Sequence, residues 1–417
     1  MANASLPPSN VVGAGGSAGG GTAGASGGTG TADSAASSGD SFPVPFEVVK
    51  VDGTPANDVL IGTADNEEMQ GFRGDDVLFG GAGDDRLDGG IGNDRLEGGP
   101  GFDSYDGGPG SDTLTFSVND GPANVDLQNA SVVSTGVFEF VTEVENVSGS
   151  VFGDTLLGDD NDNVLLGGSG LDLLGGRLGD DTLDGGKDGA YATWAGSEGA
   201  VSVDLDQGTA AEWDGGQDTL VNIIGAIGTD HDDTLAGNAA ANRLEGGAGD
   251  DILQGRAGDD VLVGGDGADT LQGGAGNDTA DYSGAGPVRI SLQSGDAKDS
   301  SGATDNISGI ENIIGSLSDD LLVGNAQANI LIGGVGADTL RGGAGADTFV
   351  FNDRLDFGDT IRDFESGLDR IEIAGTGTIR FEDASNQLIW QADADADPVV
   401  VAIVQGDSVA NGDVLFV

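Results

Sequence analysis

Aspartates recur at a spacing of nine residues along much of this chain, each placed behind a group of glycines. From Gly80 the sequence reads GGAGDDRLD, GGIGNDRLE, GGPGFDSYD and GGPGSDTLT without a break. The carboxylate in the sixth position is a hard oxygen ligand, and calcium takes about six to eight such oxygens. Glycines in the first, second and fourth positions permit positive φ angles and a close approach of the backbone to an ion. The pattern therefore predicts a calcium-binding turn in each unit.

The last three positions of each unit predict a short strand in which only the eighth position faces inward. In the four units that begin at Gly80, this position holds Leu87, Leu96, Tyr105 and Leu114. Two units make one coil, so units 18 residues apart stack at about 4.8 Å, the spacing of neighbouring strands. The predicted fold class is all-β: a right-handed parallel β-roll in several blocks, with β-rich spacers and a C-terminal β cap.

The sequence contains 21 such units in four blocks, and the sixth position is Asp in 17 of them. The exceptions, each in the second unit of its block, are Glu67, Asn163, Asn242 and Asn329. The opening units (GTPANDVLI, GSVFGDTLL, GTDHDDTLA and GSLSDDLLV) also lack paired glycines. We expect these block entrances to coordinate calcium poorly and to serve as polar lids.

The candidate metal ligands are the aspartates in the sixth position of the complete units. A single Asp-Gly unit would be read as an ordinary turn, but the register of the whole set favours calcium. The predicted ligands are Asp76, Asp85, Asp94, Asp103, Asp112, Asp172, Asp181, Asp251, Asp260, Asp269, Asp278, Asp338 and Asp347. The strongest predicted pairs are Asp76 with Asp94, Asp85 with Asp103, Asp94 with Asp112, Asp251 with Asp269, and Asp260 with Asp278.

The repeats and the segments between them divide the chain. Each spacer contains an alternating strand (NVDL, VSVDL or VRISL) and approaches the next block through VENVSG, VNIIG or IENIIG. This pattern predicts hairpins packed on the roll or inserted between its blocks. The predicted segments are a disordered Gly/Ala/Ser-rich tail (1–42), repeat block 1 (43–115), a spacer (116–148), block 2 (149–184), a spacer (185–227), block 3 (228–281), a spacer (282–314), block 4 (315–350), and a C-terminal cap with a secretion signal (351–417).

Composition supports calcium as a folding partner. The chain has 72 acidic and 15 basic residues, a formal net charge of −57, and no cysteine. Nucleic acid is excluded as a partner because binding it requires basic patches. Two carboxylates about 5 Å apart repel by roughly 3 kcal/mol at an effective dielectric of about 20. A roll that stacks aspartate on aspartate should therefore not close without cations, and we expect the calcium-free chain to be largely unfolded.

The ends of the chain bear on its location. Residues 1–49 contain no Lys or Arg and no long apolar run, so no N-terminal signal peptide is predicted. No stretch approaches the roughly 20 apolar residues of a membrane helix, so no transmembrane segment is expected. The last residues, GDVLFV (Gly412–Val417), fit either a C-terminal secretion signal or a final β-strand.

The repeats, the junction IENIIGSLSDDLLVGN and the segment DTFVFNDRLDFGDTIRDFESGLDRIEI resemble RTX, or hemolysin-type calcium-binding, proteins. Residues from about 53 to 417 are most similar to the C-terminal region of serralysin-type secreted proteases. The resemblance implies export of the unfolded chain by a type I ABC secretion machinery, an uncleaved C-terminal signal, and folding in external calcium. It therefore implies a secreted, extracellular protein.

The chain departs from the serralysins in lacking HExxH zinc ligands. Its single histidine, His231, lies in a degenerate unit and is expected to be an exposed turn residue. We therefore predict a non-enzymatic protein that binds several calcium ions, with no other cofactor. One alternative is a calcium-stabilised surface or matrix protein that adheres to cells or to extracellular polysaccharide. Another is an accessory or unrecognised enzyme with a site in the spacers, where Tyr191, Trp194 and Trp213 cluster.

Overall fold

The structure is a computed structural model that describes residues 10–13 (backbone only), 48–116, 121–134, 136–299, 302–352, 356–382, 384–391, 398–410 and 412–417. Strands and turns make up the described residues, and no α-helix occurs among them. The predicted disordered tail lies outside the described residues, apart from the short strand at 10–13. The chain divides into two compact units, Met1–Phe152 and Gly153–Val417.

The first unit is built from short strands joined by tight turns. They are β1 (Asn10–Gly13), β2 (Val49–Asp52), β3 (Asp58–Ile61), β4 (Glu67–Arg73), β5 (Val77–Phe79), β6 (Arg86–Ile91), β7 (Arg95–Glu97), β8 (Ser104–Asp106), β9 (Thr113–Thr115), β10 (Ala123–Asp126), β11 (Ser131–Ser134), β12 (Val137–Thr142) and β13 (Asn146–Ser148).

These strands form two stacks that alternate along the chain. One stack runs β1, β3, β5, β7, β9 and β13, and every neighbouring pair is parallel. The other runs β2, β4, β6, β8 and β12 in parallel and continues through β11 and β10 as an antiparallel hairpin. From β1 to β9, odd and even strands therefore lie in different sheets, as a coil of two nonapeptides requires.

The second unit repeats this construction over more strands. They are β14 (Thr155–Leu157), β15 (Val164–Leu166), β16 (Asp172–Gly175), β17 (Thr182–Asp184), β18 (Ala190–Thr193), β19 (Val201–Asp204), β20 (Thr209–Glu212), β21 (Gln217–Val221), β22 (Ile223–Ile227), β23 (Thr234–Ala236), β24 (Arg243–Ala248), β25 (Ile252–Ala257), β26 (Val261–Asp266), β27 (Thr270–Ala275), β28 (Thr279–Asp281), β29 (Arg289–Ser291), β30 (Asp296–Lys298), β31 (Thr304–Ser308), β32 (Asn312–Ile314), β33 (Leu321–Val323), β34 (Ile330–Ile332), β35 (Thr339–Arg341), β36 (Thr348–Phe351), β37 (Asp359–Phe364), β38 (Arg370–Ile373), β39 (Thr378–Glu382), β40 (Gln387–Gln391), β41 (Val399–Gly406) and β42 (Val414–Phe416).

In this unit one stack is parallel throughout, from β14 through the even-numbered roll strands to β42. The other is interrupted twice by hairpins: β21, β20 and β19 lie between β17 and β23, and β31, β30 and β29 lie between β27 and β33. The sequence predicted hairpins either packed on the roll or inserted between its blocks, and the structure shows them inserted into one stack. The cap continues both stacks, through β37 and β41 and through β38 and β42.

The interior is a ladder of aliphatic side chains from the eighth position. Leu60, Leu78, Leu96 and Leu114 are register partners 18 residues apart, and each is fully buried. Alternation along each strand leaves only this side chain pointing inward. The predicted all-β parallel roll is confirmed.

The buried ladder predicts that inward-facing residues contribute more to stability than their exposed neighbours. We expect Leu253→Ala, at a side chain that is 0% exposed between Leu235 and Leu271, to lower the free energy of unfolding by about 2–5 kcal/mol, since the cavity cannot collapse between stacked coils. Its neighbour Ile252 is 40% exposed, and Ile252→Ala should change stability by about 0.5 kcal/mol or less. Urea denaturation in saturating calcium measures both variants, and equal losses would contradict the inward assignment.

Candidate metal sites

The aspartates of the complete units form hydrogen-bonded columns along the edges of the roll. The amide of Asp76 donates to Oδ1 of Asp94 at 2.7 Å, and the amide of Asp94 donates to Oδ1 of Asp112 at 2.6 Å. The pairs Asp85–Asp103, Asp251–Asp269 and Asp260–Asp278 are joined in the same way at 2.8–2.9 Å. The five pairs proposed from spacing are therefore brought together, and all thirteen candidate ligands are buried.

The second carboxylate oxygen is what makes these columns chemically unusual. In twelve of the thirteen candidates Oδ2 is buried and accepts no hydrogen bond; the exception is Asp347. A buried carboxylate oxygen without a partner is costly, and a cation is the usual compensation. The twelve are Asp76, Asp85, Asp94, Asp103, Asp112, Asp172, Asp181, Asp251, Asp260, Asp269, Asp278 and Asp338.

The first glycine of each unit leaves room beside that oxygen. A Cβ at Gly80 would lie 2.4 Å from Oδ2 of Asp85 and 2.8 Å from the Gly98 carbonyl oxygen of the next coil. A Cβ at Gly255 would meet Oδ2 of Asp260 at 2.3 Å and the next coil's carbonyl at 2.6 Å. Carboxylate and carbonyl oxygens thus converge on a space that any side chain would fill, which is the hard-oxygen environment that suits calcium.

Backbone carbonyl oxygens lie beside the carboxylates in these turns. Within the described ranges, no three or more His, Cys, Asp or Glu side chains are grouped so as to hold a metal ion. Each coil-to-coil space instead offers one carboxylate from each of two stacked turns and their backbone oxygens. The positive φ angles of Gly81 (107°) and Gly83 (129°) show the turn conformation that this requires.

Burial raises the pKa of these carboxyls, and neighbouring carboxylates raise it further. The pKa of Asp85 rises to about 6 and that of Asp103 to about 7. The same cause raises the pKa to about 6 at Asp76, Asp172, Asp260, Asp269 and Asp347, and to about 7 at Asp112, Asp181, Asp251 and Asp338. Without a cation, the folded roll must therefore hold protons close to neutral pH.

In the entrance turns of blocks 3 and 4, the side chain in the sixth position accepts a backbone amide of its own turn. The amide of Thr229, in the second position of its unit, donates to Oδ2 of Asp233 at 2.6 Å, and the amide of Ser316 donates to Oδ2 of Asp320. In the asparagine unit of block 4, the amide of Asn325 donates to Oδ1 of Asn329 at 2.8 Å. The oxygen that is unpaired in the complete turns is thus occupied, which gives a physical basis for the expectation that entrances coordinate calcium poorly.

Backbone conformation at the second position separates the two kinds of turn. Phe72, Arg177 and Arg256 replace the second glycine, yet they keep its positive φ at 76°, 80° and 75°. Their units retain an unpaired Oδ2, at Asp76, Asp181 and Asp260. A left-handed conformation costs an L-residue roughly 1–2 kcal/mol, so these turns keep the ligand geometry in spite of the strain.

An entrance turn should therefore be convertible into a calcium site. We expect the triple variant Asn325→Gly, Gln327→Gly and Asn329→Asp to bind one more calcium ion than the parent, since it frees a carboxylate beside the Gly342 carbonyl, which lies 2.2 Å from a Cβ placed on Gly324. Asn329→Asp alone is the matched control, because its carboxylate would still accept the Asn325 amide. Equilibrium dialysis counts the ions, and an equal count in both variants would contradict the distinction.

Sequence reasoning missed that the columns continue beyond the repeats. The amides of Asp112 and Asp278 donate to Glu145 and Glu311 at 2.8 and 3.0 Å. These two glutamates hold the same place in VENV and IENI, a signal that the similarity of the spacers could have revealed. Further continuations join Asp181 to Asp218, Asp269 to Asp305, Asp338 to Asp359, and Asp347 to Asp369. Their irregular spacing left no pattern to follow.

The histidine and the aromatic residues named from the sequence differ in exposure. His231 is exposed, and its Nε2 lies 2.8 Å from the Glu198 carbonyl oxygen. Of the aromatic residues named for an enzymatic site, Trp194 is 3% exposed, whereas Trp213 is 50% exposed. Within the described residues, no helix has the length and apolar character needed to cross a membrane.

Two protein families match the chain. The RTX calcium-binding nonapeptide repeat matches residues 52–87, 70–105, 79–114, 148–188, 227–262 and 254–283. The chain carries RTX calcium-binding nonapeptide repeats. The serralysin C-terminal family of peptidase M10 matches residues 270–396. The predicted resemblance to the serralysin C-terminal region is therefore confirmed, and calcium is the ion of these repeats.

Solved structures show weaker likenesses. A subunit of the mannuronan C5-epimerase of Azotobacter vinelandii is 22% identical, with 45% of this chain and 78% of that chain covered and a TM-score of 0.14. The extracellular lipase LipA of Serratia marcescens is 12% identical, with 89% of this chain and 40% of that chain covered and a TM-score of 0.17. The RTX-repeat chain thus spans 40% of the lipase. A search of curated proteins found no match.

Proposed function

We propose that this RTX-repeat protein is a secreted, non-enzymatic protein whose folding is coupled to the binding of several calcium ions. The thirteen aspartates named above would be the carboxylate ligands, with backbone carbonyls completing each site. The observation that carries the proposal is the set of twelve buried Oδ2 atoms that accept no hydrogen bond. Calcium in the coil-to-coil spaces would neutralise them, and affinities should fall near the roughly 10⁻⁴–10⁻³ M of extracellular modules.

Export would depend on the same repulsion between stacked carboxylates. At the low calcium concentration of a cytosol, stacked carboxylates would keep the chain extended and suitable for a type I ABC secretion channel. Outside the cell, calcium would fold the emerging chain and oppose its return. The terminal segment Gly412–Val417 would act as the secretion signal before folding and then as strand β42, which pairs with β38.

Far-UV circular dichroism during a calcium titration tests the proposal. Starting in chelator, we expect a coil spectrum that converts cooperatively to a β spectrum as calcium rises to about 10 mM, above the expected affinity range. Magnesium is the control, because this small ion gives up its bound water reluctantly and is therefore rarely held by a cage of protein oxygens. A spectrum already rich in β structure in chelator would reject the coupling of folding to calcium.

A surface-binding role has one observation in its favour. Phe102, Phe138 and Phe140 are 46%, 56% and 54% exposed, and Phe140 contacts the other two edge-to-face at ring-centroid distances of 6.2 and 6.4 Å. Such a cluster on a chain of net charge −57 suits a neutral partner, for example a neutral polysaccharide, better than an acidic one. We propose this cluster as the contact surface of the adhesion alternative.

Binding of the calcium-loaded protein to immobilised neutral polysaccharides tests that role. Phe138→Ser with Phe140→Ser should abolish retention, and Ile252→Ser, also at an exposed position, should leave it unchanged. Equal retention of both variants, or no retention of the parent protein, would remove the aromatic cluster from consideration.

A further inference from the structure

Two columns of aspartates end on a carboxylate that differs from the others in one contact. Asp218 and Asp305 each accept the amide of the preceding column member through Oδ1, at 3.1 and 3.0 Å. Their Oδ2 atoms, however, accept hydrogen bonds from aromatic side chains. Trp194 Nε1 donates to Asp218 at 3.0 Å, and the Tyr282 hydroxyl donates to Asp305 at 2.7 Å. In the complete turns that oxygen is unpaired.

The aromatic donors hold equivalent places in the fold. Trp194 directly follows β18, and its amide donates to the Ile227 carbonyl at 2.9 Å. Tyr282 directly follows β28, and its amide donates to the Ile314 carbonyl at 2.9 Å. Each therefore stands where the chain leaves the roll for an inserted hairpin, and the arrangement recurs at both hairpins of this unit.

The first unit also buries a spacer carboxylate against an aromatic hydroxyl, but it uses different residues. Phe116 occupies the corresponding place, and its amide donates to the Ser148 carbonyl at 3.0 Å, but its ring has no donor. There Glu139 is the buried carboxylate, and it accepts from the Tyr105 hydroxyl at 3.0 Å and from Ser134 Oγ at 2.6 Å. All three spacers thus bury a carboxylate against an aromatic donor.

The strand stack explains why a column must end here. After β31, which carries Asp305, the next strand is the antiparallel β30, so no parallel coil stacks on this side. Calcium needs carbonyls from a stacked glycine turn as well as carboxylates. A neutral aromatic donor can satisfy one carboxylate oxygen without further ligands, and burial of both partners protects the hydrogen bond from water: Asp305 is 5% exposed and Tyr282 is 6% exposed.

We propose that Trp194 and Tyr282 terminate the calcium columns, by holding Asp218 and Asp305 as hydrogen-bond acceptors in place of calcium ligands. The last ligands of the two columns are then Asp181 and Asp269. The inference rests on the proposed function, since it concerns which carboxylates bind the ion. It assigns a role in limiting calcium stoichiometry to residues that lie outside the nonapeptide pattern.

Calcium counting by equilibrium dialysis separates a terminator from a ligand. Asp305→Asn should bind as many ions as the parent, because its amide oxygen can still accept from the Asp269 amide while its NH2 group donates to the Tyr282 hydroxyl oxygen, and no ligand is lost. Asp278→Asn, at a complete turn of the same block, should bind at least one ion fewer. Asp218→Asn tests the other hairpin, where the Asp181 amide and the donor-only Trp194 indole would share one amide oxygen, so we expect lower stability with an unchanged ion count. It keeps the test decisive if Asp305→Asn fails to fold. A loss of one ion in Asp305→Asn or Asp218→Asn overturns the proposal.

Tyr282→Phe provides a second readout. Loss of a hydrogen bond to a buried carboxylate should lower the folding equilibrium constant in calcium by about ten- to hundredfold, with the number of bound ions unchanged. The decrease in the folding equilibrium constant caused by Tyr282→Phe should be smaller in a protein that already carries Asp305→Asn. An equal decrease in the parent protein and in Asp305→Asn would count against the assignment. A parent protein that binds no calcium at all would reject the proposed function itself, an outcome distinct from the failure of these variants.

Discussion

Asp251→Asn is expected to remove at least one bound calcium ion and to raise the calcium concentration at the folding midpoint by about tenfold or more, since affinity follows the charge of the ligand set. Asp251 is 1% exposed, its Oδ2 is unpaired, and the Gly264 carbonyl of the next coil lies 2.6 Å from a Cβ placed on Gly246. The neutral amide keeps the shape of the side chain but removes the charge that attracts the ion. Equilibrium dialysis and circular dichroism titration measure the two effects.

The control for this variant is Asp266→Asn, in the same block. Asp266 is exposed, so the substitution changes the net charge equally without touching a buried column. Asparagine in the sixth position is compatible with the fold, since Asn163, Asn242 and Asn329 occupy it naturally and are 1–3% exposed. Matching midpoints for Asp251→Asn and Asp266→Asn would show that overall charge, and not ligand identity, sets the calcium requirement.

Acid is expected to substitute in part for calcium. In the calcium-free chain, burial raises the pKa of Asp85 to about 6 and that of Asp251 to about 7, whereas an unfolded aspartate titrates near about 3.9. The folded state therefore binds more protons than the unfolded state between these values, and stability falls as pH rises through this window. In chelator, β structure should accordingly be greater at about pH 5 than at about pH 7.5.

The same linkage predicts competition between protons and calcium. Where acid has folded the calcium-free chain, at about pH 5, its buried carboxyls hold protons that calcium must displace, so binding should release protons. At about pH 7.5, where the calcium-free chain is unfolded and its carboxylates are already ionised, binding should release few or none. Proton release on mixing with calcium in weakly buffered solution provides the measurement. A chain in chelator whose β content is unchanged or increases as pH rises across this window would contradict the raised pKa values.

The block entrances show how much about calcium coordination can be predicted from local sequence. The absence of paired glycines at GTDHDDTLA and GSLSDDLLV was sufficient to expect weak calcium coordination. The three-dimensional structure adds a physical basis for that expectation, because the Thr229 and Ser316 amides donate to the carboxylate oxygen that would face an ion. In these two entrance turns the second residue lacks the left-handed conformation, and its amide points towards the carboxylate four residues later. Phe72, Arg177 and Arg256 show that the left-handed conformation is not confined to glycine.

The sequence by itself determined the roll, its 18-residue register, the inward leucines, the identity of the ion and the aspartates that stack along the edges. These features follow from a repeat whose complete units carry the same turn and strand chemistry, so local pattern and tertiary contact coincide. The tertiary structure decided where the columns stop. Asp218, Asp305 and Glu139 meet Trp194, Tyr282 and Tyr105 across 23 to 34 residues. Such contacts depend on how inserted hairpins enter the stack, and no spacing rule along the chain encodes them.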